Sequence, residues 1–323
     1  MAHIIPAAVF YLCTLFAIYT FDGFFLKFST ALINGLAIAI LFVIGHDACH
    51  NALTPSKNLN RWIARLCFLP SLHPYASWFY SHNILHHGWT NLKGRDPVYP
   101  PKSPEEYLAL SKFNQLKERL YRSPIGVMLL YMDTIWFREE IFPNEKRRIA
   151  IAKYGDFQFD RILVFAFIGL HVLVSATLAN SLLETVYLLC IAFIVPFFIW
   201  NWLMGFVTYL QHTHPKINWF NSPKEWTFFG AQVEGTAHVE FPSVLDFIIL
   251  RIMQHTAHHV CSEIPFYRLK DYQKKLSATA LSYSASFQSL RETFSKCHLY
   301  DYEAKTWHTF DEIKVQKTAR LAA

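Results

Sequence analysis

The chain has 323 residues, 53% of them hydrophobic and 17% aromatic, with a mean hydropathy of +0.18. Those values exclude an ordinary soluble globule and point to lipid as the surrounding medium, because Trp and Tyr collect where a membrane meets water. The net charge of +6 requires no nucleic acid partner; it fits a basic cytosolic face in contact with anionic headgroups.

Residues 1–45 carry only two charged side chains, Asp22 and Lys27. The opening MAHIIPAAVFYLC lacks the basic n-region and small-residue cleavage site of a signal peptide, so its apolar run is expected to be retained as a span. Crossing a hydrocarbon core of roughly 30 Å takes about 20 apolar residues in a helix. Four stretches qualify, 4–21, 28–45, 162–183 and 185–210, and none contains Asp, Glu, Lys or Arg. The first two are separated around Asp22 and Lys27 and the last two by Glu184, which predicts two tight helical hairpins. Polar regions follow each hairpin, at 47–161 and 211–323. They hold 16 and 13 of the 30 Lys and Arg residues, leaving Lys27 alone on the far side. By the positive-inside rule both polar regions and both termini are expected in the cytosol, in a multi-pass integral membrane protein.

Shorter apolar runs at 125–137 and 244–253 carry Asp133, Asp246 and Arg251. They are too short to span and are expected on the membrane surface or as buried cap helices. The six cysteines are scattered with no Cys-x-x-Cys pair, so they read as reduced structural thiols. No internal repeat, Gly-x-Gly-x-x-Gly or P-loop pattern is present, and no cofactor-binding module is read from the sequence.

Sixteen histidines carry the strongest signal. His46-Asp-Ala-Cys-His50 stands at the cytosolic end of the second span, where positions i and i+4 share a helix face and two imidazoles can converge on one ion. His82-Asn-Ile-Leu-His86-His87 and His255-Thr-Ala-His258-His259 are each expected to repeat this, with the adjacent histidine reaching sideways to a second ion. The segment Gln211-His212-Thr-His214-Pro215 begins where the fourth span ends, so all four clusters can meet in one layer. One tetrahedral zinc uses four ligands, and this many histidines suits two metals. Imidazole binds Zn, Cu, Fe and Ni, so ligand type alone leaves the metal open. No Glu-x-x-His pair of the soluble di-iron bundles occurs. His3, His73, His171, His298 and His308 read as structural residues, and His238 as a residue that could line a cavity without ligating.

The boxes HDACH, SHNILHH, TYLQHTHP and HTAHHVCSEIPFYRL, in this order with the hairpins between, resemble the membrane-bound fatty acid desaturase superfamily, and the last is similar to acyl-lipid desaturases. The resemblance implies a single mushroom-shaped, all-α membrane domain over 1–323. It has four transmembrane helices beneath a cytosolic helical cap that carries a di-iron site. Its implied metal ligands are His46, His50, His82, His86, His87, His212, His255, His258 and His259, with no catalytic residue assigned beyond them. His214 rivals His212, and Thr208 stands where relatives often place Asn four residues before that ligand. Asp47 and Asp96 are the expected carboxylate partners of ligand histidines.

The implied chemistry is O₂-dependent oxidation of an aliphatic chain on a fatty acid or fatty acyl lipid. Two iron ions (Fe2+/Fe3+) would cycle with electrons from an external ferredoxin, rubredoxin or cytochrome b5 with its reductase. Desaturation to a C=C bond leads; decarboxylation to a terminal alkene and hydroxylation remain open. A narrow apolar tunnel is expected, with Trp78, Phe79, Trp89 and Trp136 as lining or as plain core. Lys146-Arg147-Arg148 is a candidate donor-docking patch or headgroup anchor. A metal transporter is a rival class, but transporters place ligands near the bilayer midplane. A non-catalytic metal sensor is another.

Overall fold

In hydrocarbon an apolar segment has only its own backbone to bond with, so each long run is driven into a helix. The computed structural model describes residues 3–276 and 279–315 and is mostly helical, with no closed sheet. Helix α1 spans Ile4–Thr20 and α2 spans Phe24–Cys49; two further apolar helices run over Phe157–Leu178 and Leu182–His212. The last three are long and apolar enough to cross a membrane, whereas α1 has 17 residues and is shorter. The helices outrun the hydropathy windows. Helix α2 continues into the first histidine box, with His50 as its C-cap, and the helix from Phe157 takes in Asp160 and Arg161 because Asp156 caps it, accepting Phe159 N–H at 3.0 Å.

The described residues fall into two compact units. One contains residues up to 83, 132–204 and 248–250; the other contains 84–131, 205–247 and the residues from 251 onward. In the first unit α1 and α2 form the expected hairpin. Gly23 turns the chain at φ +83°, and Lys27 Nζ donates to the Ile18 carbonyl at 2.9 Å, satisfying the end of α1. Asn34, buried among apolar side chains, donates to the Tyr11 carbonyl at 3.1 Å and to Thr14 Oγ1 at 2.8 Å. Such an amide staples helices where no water competes. Helix α3 (Lys57–Phe68), capped by Ser56, packs Phe68 against α2 in an aromatic cluster with Phe42, Trp78 and Trp200. Arg65 Nε of α3 meets Asp160 Oδ1 at 2.7 Å, and the second Asp160 oxygen accepts the Ala76 N–H at 2.7 Å. That carboxylate fixes α4 (Tyr75–Phe79), which runs without a break into the π-helical turn Tyr80–His86. Outward-facing apolar side chains such as Phe25 and Leu182, 84% and 80% exposed, mark surfaces that need lipid.

The second unit departs from an all-helical expectation by two short sheets. Strands β1 (Ala237–Glu240) and β2 (Leu281–Ser284) pair in parallel, and β3 (Leu299–Asp301) pairs antiparallel with β4 (Thr306–His308). Buried Arg122 holds this unit together by donating to the Tyr99 and Pro100 carbonyls at 3.3 and 3.0 Å and pairing with Glu118. The apolar run at 125–137 becomes a helical turn Gly126–Leu130 and a π-helical stretch Tyr131–Ile141; the run at 244–253 yields only the short helix Ser243–Ile248. Neither has the length of a span, as expected. All six cysteines are unpaired thiols.

Candidate metal centre

An α-helix brings residues four apart to within about 40° of each other around its axis, and the last turn of α2 uses this to gather His46 and His50, rings 4.8 Å apart. Both are buried. In the same unit His82 joins them, its Nε2 2.9 Å from His46 Nε2 and its ring 5.1 Å from His50. The Asn83 amide donates to the Cys49 carbonyl at 3.0 Å, which ties the π-turn to the end of α2. The Trp78 indole stands edge-on to His82 at 3.8 Å. Asp47 Oδ1 lies 3.3 Å from His46 Nδ1, the carboxylate partner expected for that ring.

In the second unit His86, His212, His255 and His259 are all buried, and their donor atoms lie within 4.8 Å of one another. His255 Nε2 and His212 Nε2 face each other at 2.8 Å. Beside them His87 Nε2 and His258 Nε2 lie 3.1 Å apart. Helix His255–Val260 presents His255 and His259 on one face, rings 4.3 Å apart, and turns His258 toward His87. Box three thus has two imidazoles one turn apart on a shared face, with the adjacent His258 reaching sideways. In box three the i,i+4 pair is closer in angle than the i,i+3 pair. Box two lies on the π-helical turn Tyr80–His86, with His82 in the first unit and His86 in the second.

The outer ring nitrogens of three of the four histidines are held, while His255 Nδ1 is buried with no hydrogen-bond partner. His86 Nδ1–H donates to Asp96 at 3.0 Å, His212 Nδ1–H to Asn91 Oδ1 at 3.3 Å and His259 Nδ1–H to Gln232 Oε1 at 2.6 Å. Each bond leaves Nε2 as the lone-pair atom. Burial, followed by the neighbouring imidazoles, pushes His255 and His259 well below the ordinary histidine range, so both rings are uncharged at neutral pH. Two inward lone pairs 2.8 Å apart repel unless a cation or proton sits between them, and His259 Nε2 is buried with no protein partner. This imidazole set fits a divalent first-row metal, iron included.

The sequence model described as fatty acid desaturase matches residues 23–291. The chain belongs to the fatty acid desaturase family. It is 30% identical over 240 residues to the sn-1 oleoyl-lipid 12-desaturase of Arthrospira platensis, covering 73% of this chain and 64% of that one. It is 25% identical over 272 residues to the chloroplastic omega-6 fatty acid desaturase of Spinacia oleracea, covering 83% and 58%. A third relative, the sn-1 oleoyl-lipid 12-desaturase of Picosynechococcus sp., is 25% identical over 297 residues, covering 89% and 81%. The chain thus spans 64% and 58% of the length of the first two.

Other histidines of this desaturase-family chain lie elsewhere. His214 stacks on Tyr283 and accepts Lys216 N–H at 3.2 Å; His73 donates to the Ser71 carbonyl at 2.7 Å. His171 sits between Phe167 and Phe193, His298 reaches the Phe294 carbonyl, and His238 Nδ1 lies 3.1 Å from Ser282 Oγ. Of the four aromatics considered as tunnel lining, Trp136 donates to the Leu72 carbonyl, Trp89 packs on Trp226 and Phe79 on Tyr154. Arg147 is engaged with Glu139 and Ser81, which leaves Lys146 and Arg148 as the exposed cations of the basic triplet. Thr90, Asn91 and Gln232 touch ligand-candidate histidines and were not singled out in sequence. Neutral Thr, Asn and Gln are too common to signal such a role, although Thr90 and Asn91 lie three and four residues after His87.

Proposed function

We propose that the chain is an O₂-dependent, di-iron fatty acyl desaturase of the membrane, acting as one catalytic domain through four spans with its site and both termini cytosolic. The observation that carries the reading is the buried four-histidine group, whose donor atoms converge and in which three of the four rings have a bonded outer nitrogen. His86, His212, His255 and His259 would hold one iron; His46, His50, His82, His87 and His258 are assigned to the second from the family's box order. His212 is preferred over His214 because His214 is occupied with Tyr283 and Lys216. Desaturation is preferred to decarboxylation or hydroxylation because the relatives carry desaturase names.

When bound, the irons supply O₂ activation with electrons from an external ferredoxin, rubredoxin or cytochrome b5. The protein supplies the rest. Asp96, Asn91 and Gln232 hold the His86, His212 and His259 imidazoles with Nε2 inward, and burial keeps the His255 and His259 rings deprotonated and ready to bind. The overall conversion of CH₂–CH₂ to CH=CH takes one O₂, two electrons and two protons and releases two waters. Clustering of the histidine boxes at the cytosolic ends of spans disfavours a transporter.

Mass spectrometry of lipids and volatiles from a host expressing the wild type beside His86→Ala tests the reaction. A new double bond present only with the wild type is the expected result. A terminal alkene or an alcohol would replace desaturation by decarboxylation or hydroxylation, and identical lipid profiles would reject the enzyme.

A further inference from the structure

Gln232 lies on the π-helical turn Phe229–Val233 and is 1% exposed. Its side-chain amide joins two histidine boxes distant in sequence. Nε2 donates to the His87 peptide carbonyl at 2.6 Å, and Oε1 accepts Nδ1–H of His259 at 2.6 Å with Thr90 Oγ1 2.9 Å away. The orientation is forced: turning the amide over would aim its oxygen at the His87 carbonyl oxygen and its N–H₂ at the His259 N–H. With the oxygen facing His259, that ring must carry its proton on Nδ1. The lone pair then sits on Nε2, the buried atom that no protein group satisfies.

We propose that Gln232 is a positioning residue for the four-histidine metal site, fixing the tautomer and angle of His259 and clamping it to the backbone of box two. The inference rests on the metal-binding reading above and adds to it a residue outside the boxes. The choice of an amide matters chemically. Asp96 gives His86 an anionic acceptor, which makes that imidazole more basic; Gln232 gives His259 a neutral one, so the two ligands differ in donor strength. A glutamate at 232 would remove this difference. It would also lose the donor to His87, since an ionised carboxylate only accepts.

The test is anaerobic Co²⁺ titration of the metal-stripped full-length protein in detergent, against a competing chelator, read by visible ligand-field bands. Gln232→Leu is expected to weaken one Co²⁺ site by roughly 10–100-fold. Gln232→Glu is expected to restore most of that affinity with its bands displaced from the wild-type positions. Tyr302→Phe serves as the structural comparison, because the buried Tyr302 hydroxyl donates to the Pro101 carbonyl at 2.6 Å in the same unit and touches no histidine box. It should lower the metal-free melting temperature and leave Co²⁺ affinity alone. Binding by Gln232→Leu within about threefold of the wild type, with unshifted bands, would overturn the proposal. So would affinity losses in all three variants that track their metal-free melting temperatures. Failure of the wild type itself to take up Co²⁺ would instead strike down the metal-binding reading on which the proposal stands.

Discussion

Asp96 takes three N–H groups into one buried carboxylate: His86 Nδ1–H at 3.0 Å, Asn91 N–H at 2.8 Å and Val98 N–H at 2.9 Å. Asp96→Asn keeps one oxygen and turns an N–H₂ toward a donor, so at least one of the three bonds fails. Iron affinity is expected to fall roughly 10–100-fold, read as iron per chain after anaerobic reconstitution; wild-type iron content in the variant would remove Asp96 from the site's support. His73 gives a pH prediction. Burial pushes its pKa down to about 3, against the upward pull of the Ser71 carbonyl. The unfolded chain, titrating near 6.5, therefore holds one more proton than the folded chain between those values. The term stabilises fully above about pH 6.5 and is lost at about 1.4 kcal/mol per unit as pH falls toward 3. Removing the titrating ring by His73→Gln should make the stability gap to the wild type narrow between pH 6.5 and 4; a constant gap would show that His73 is not held neutral. At this scale the sequence betrayed carboxylates beside boxes, Asp47 and Asp96, through proximity and charge. It hid Gln232, which meets His259 only through a fold that returns the chain to the same place.

Helices in lipid approach closely only where a side chain is missing, and α2 does this at Gly35. A Cβ there would lie 2.6 Å from Ile199 Cβ and 3.0 Å from the Pro196 carbonyl. Gly35→Ala is expected to cost about 1–3 kcal/mol by overpacking. Gly169, within helix Phe157–Leu178, has nothing within 4 Å of the same position, and Gly169→Ala should be neutral or stabilising by about 0.5–1 kcal/mol. Thermal unfolding of both variants in one detergent checks the contrast; equal effects would mean that helix propensity, and not contact, governs Gly35. The apolar helices were legible because twenty residues without charge allow little else. The π-turn of box two was not. SHNILHH has the spacing of an α-helical face, and its π-helical form goes with tertiary ties such as Asn83 to Cys49 that no local pattern announces.

Whole-molecule topology turns on α1. Its 17 residues rise about 26 Å, against roughly 30 Å of hydrocarbon, while α2 at 26 residues rises about 39 Å and has length to spare. A short helix can still span if the bilayer thins or flanking groups reach outward, at fractions of a kcal/mol per Å. Two features favour crossing. Lys27 supplies the end of α1 with a hydrogen-bond donor, and Asn34 joins the middle of α1 to α2, which would hold the two helices at equal depth. The polar regions at 47–161 and 211–323 carry nearly all the basic residues, and the proposed topology places them on the cytosolic side by the positive-inside rule. Single cysteines at His3→Cys and Asp22→Cys, and the natural exposed Cys261, in an otherwise cysteine-free chain decide the matter with an impermeant maleimide on oriented vesicles. Four spans predict that His3→Cys and Cys261 label from the cytosolic face and Asp22→Cys from the opposite face. Labelling of His3→Cys together with Asp22→Cys would leave α1 on the far surface and reduce the spans to three. Labelling of Cys261 with Asp22→Cys would instead place the third histidine box across the membrane from the first, and no shared metal layer could then form.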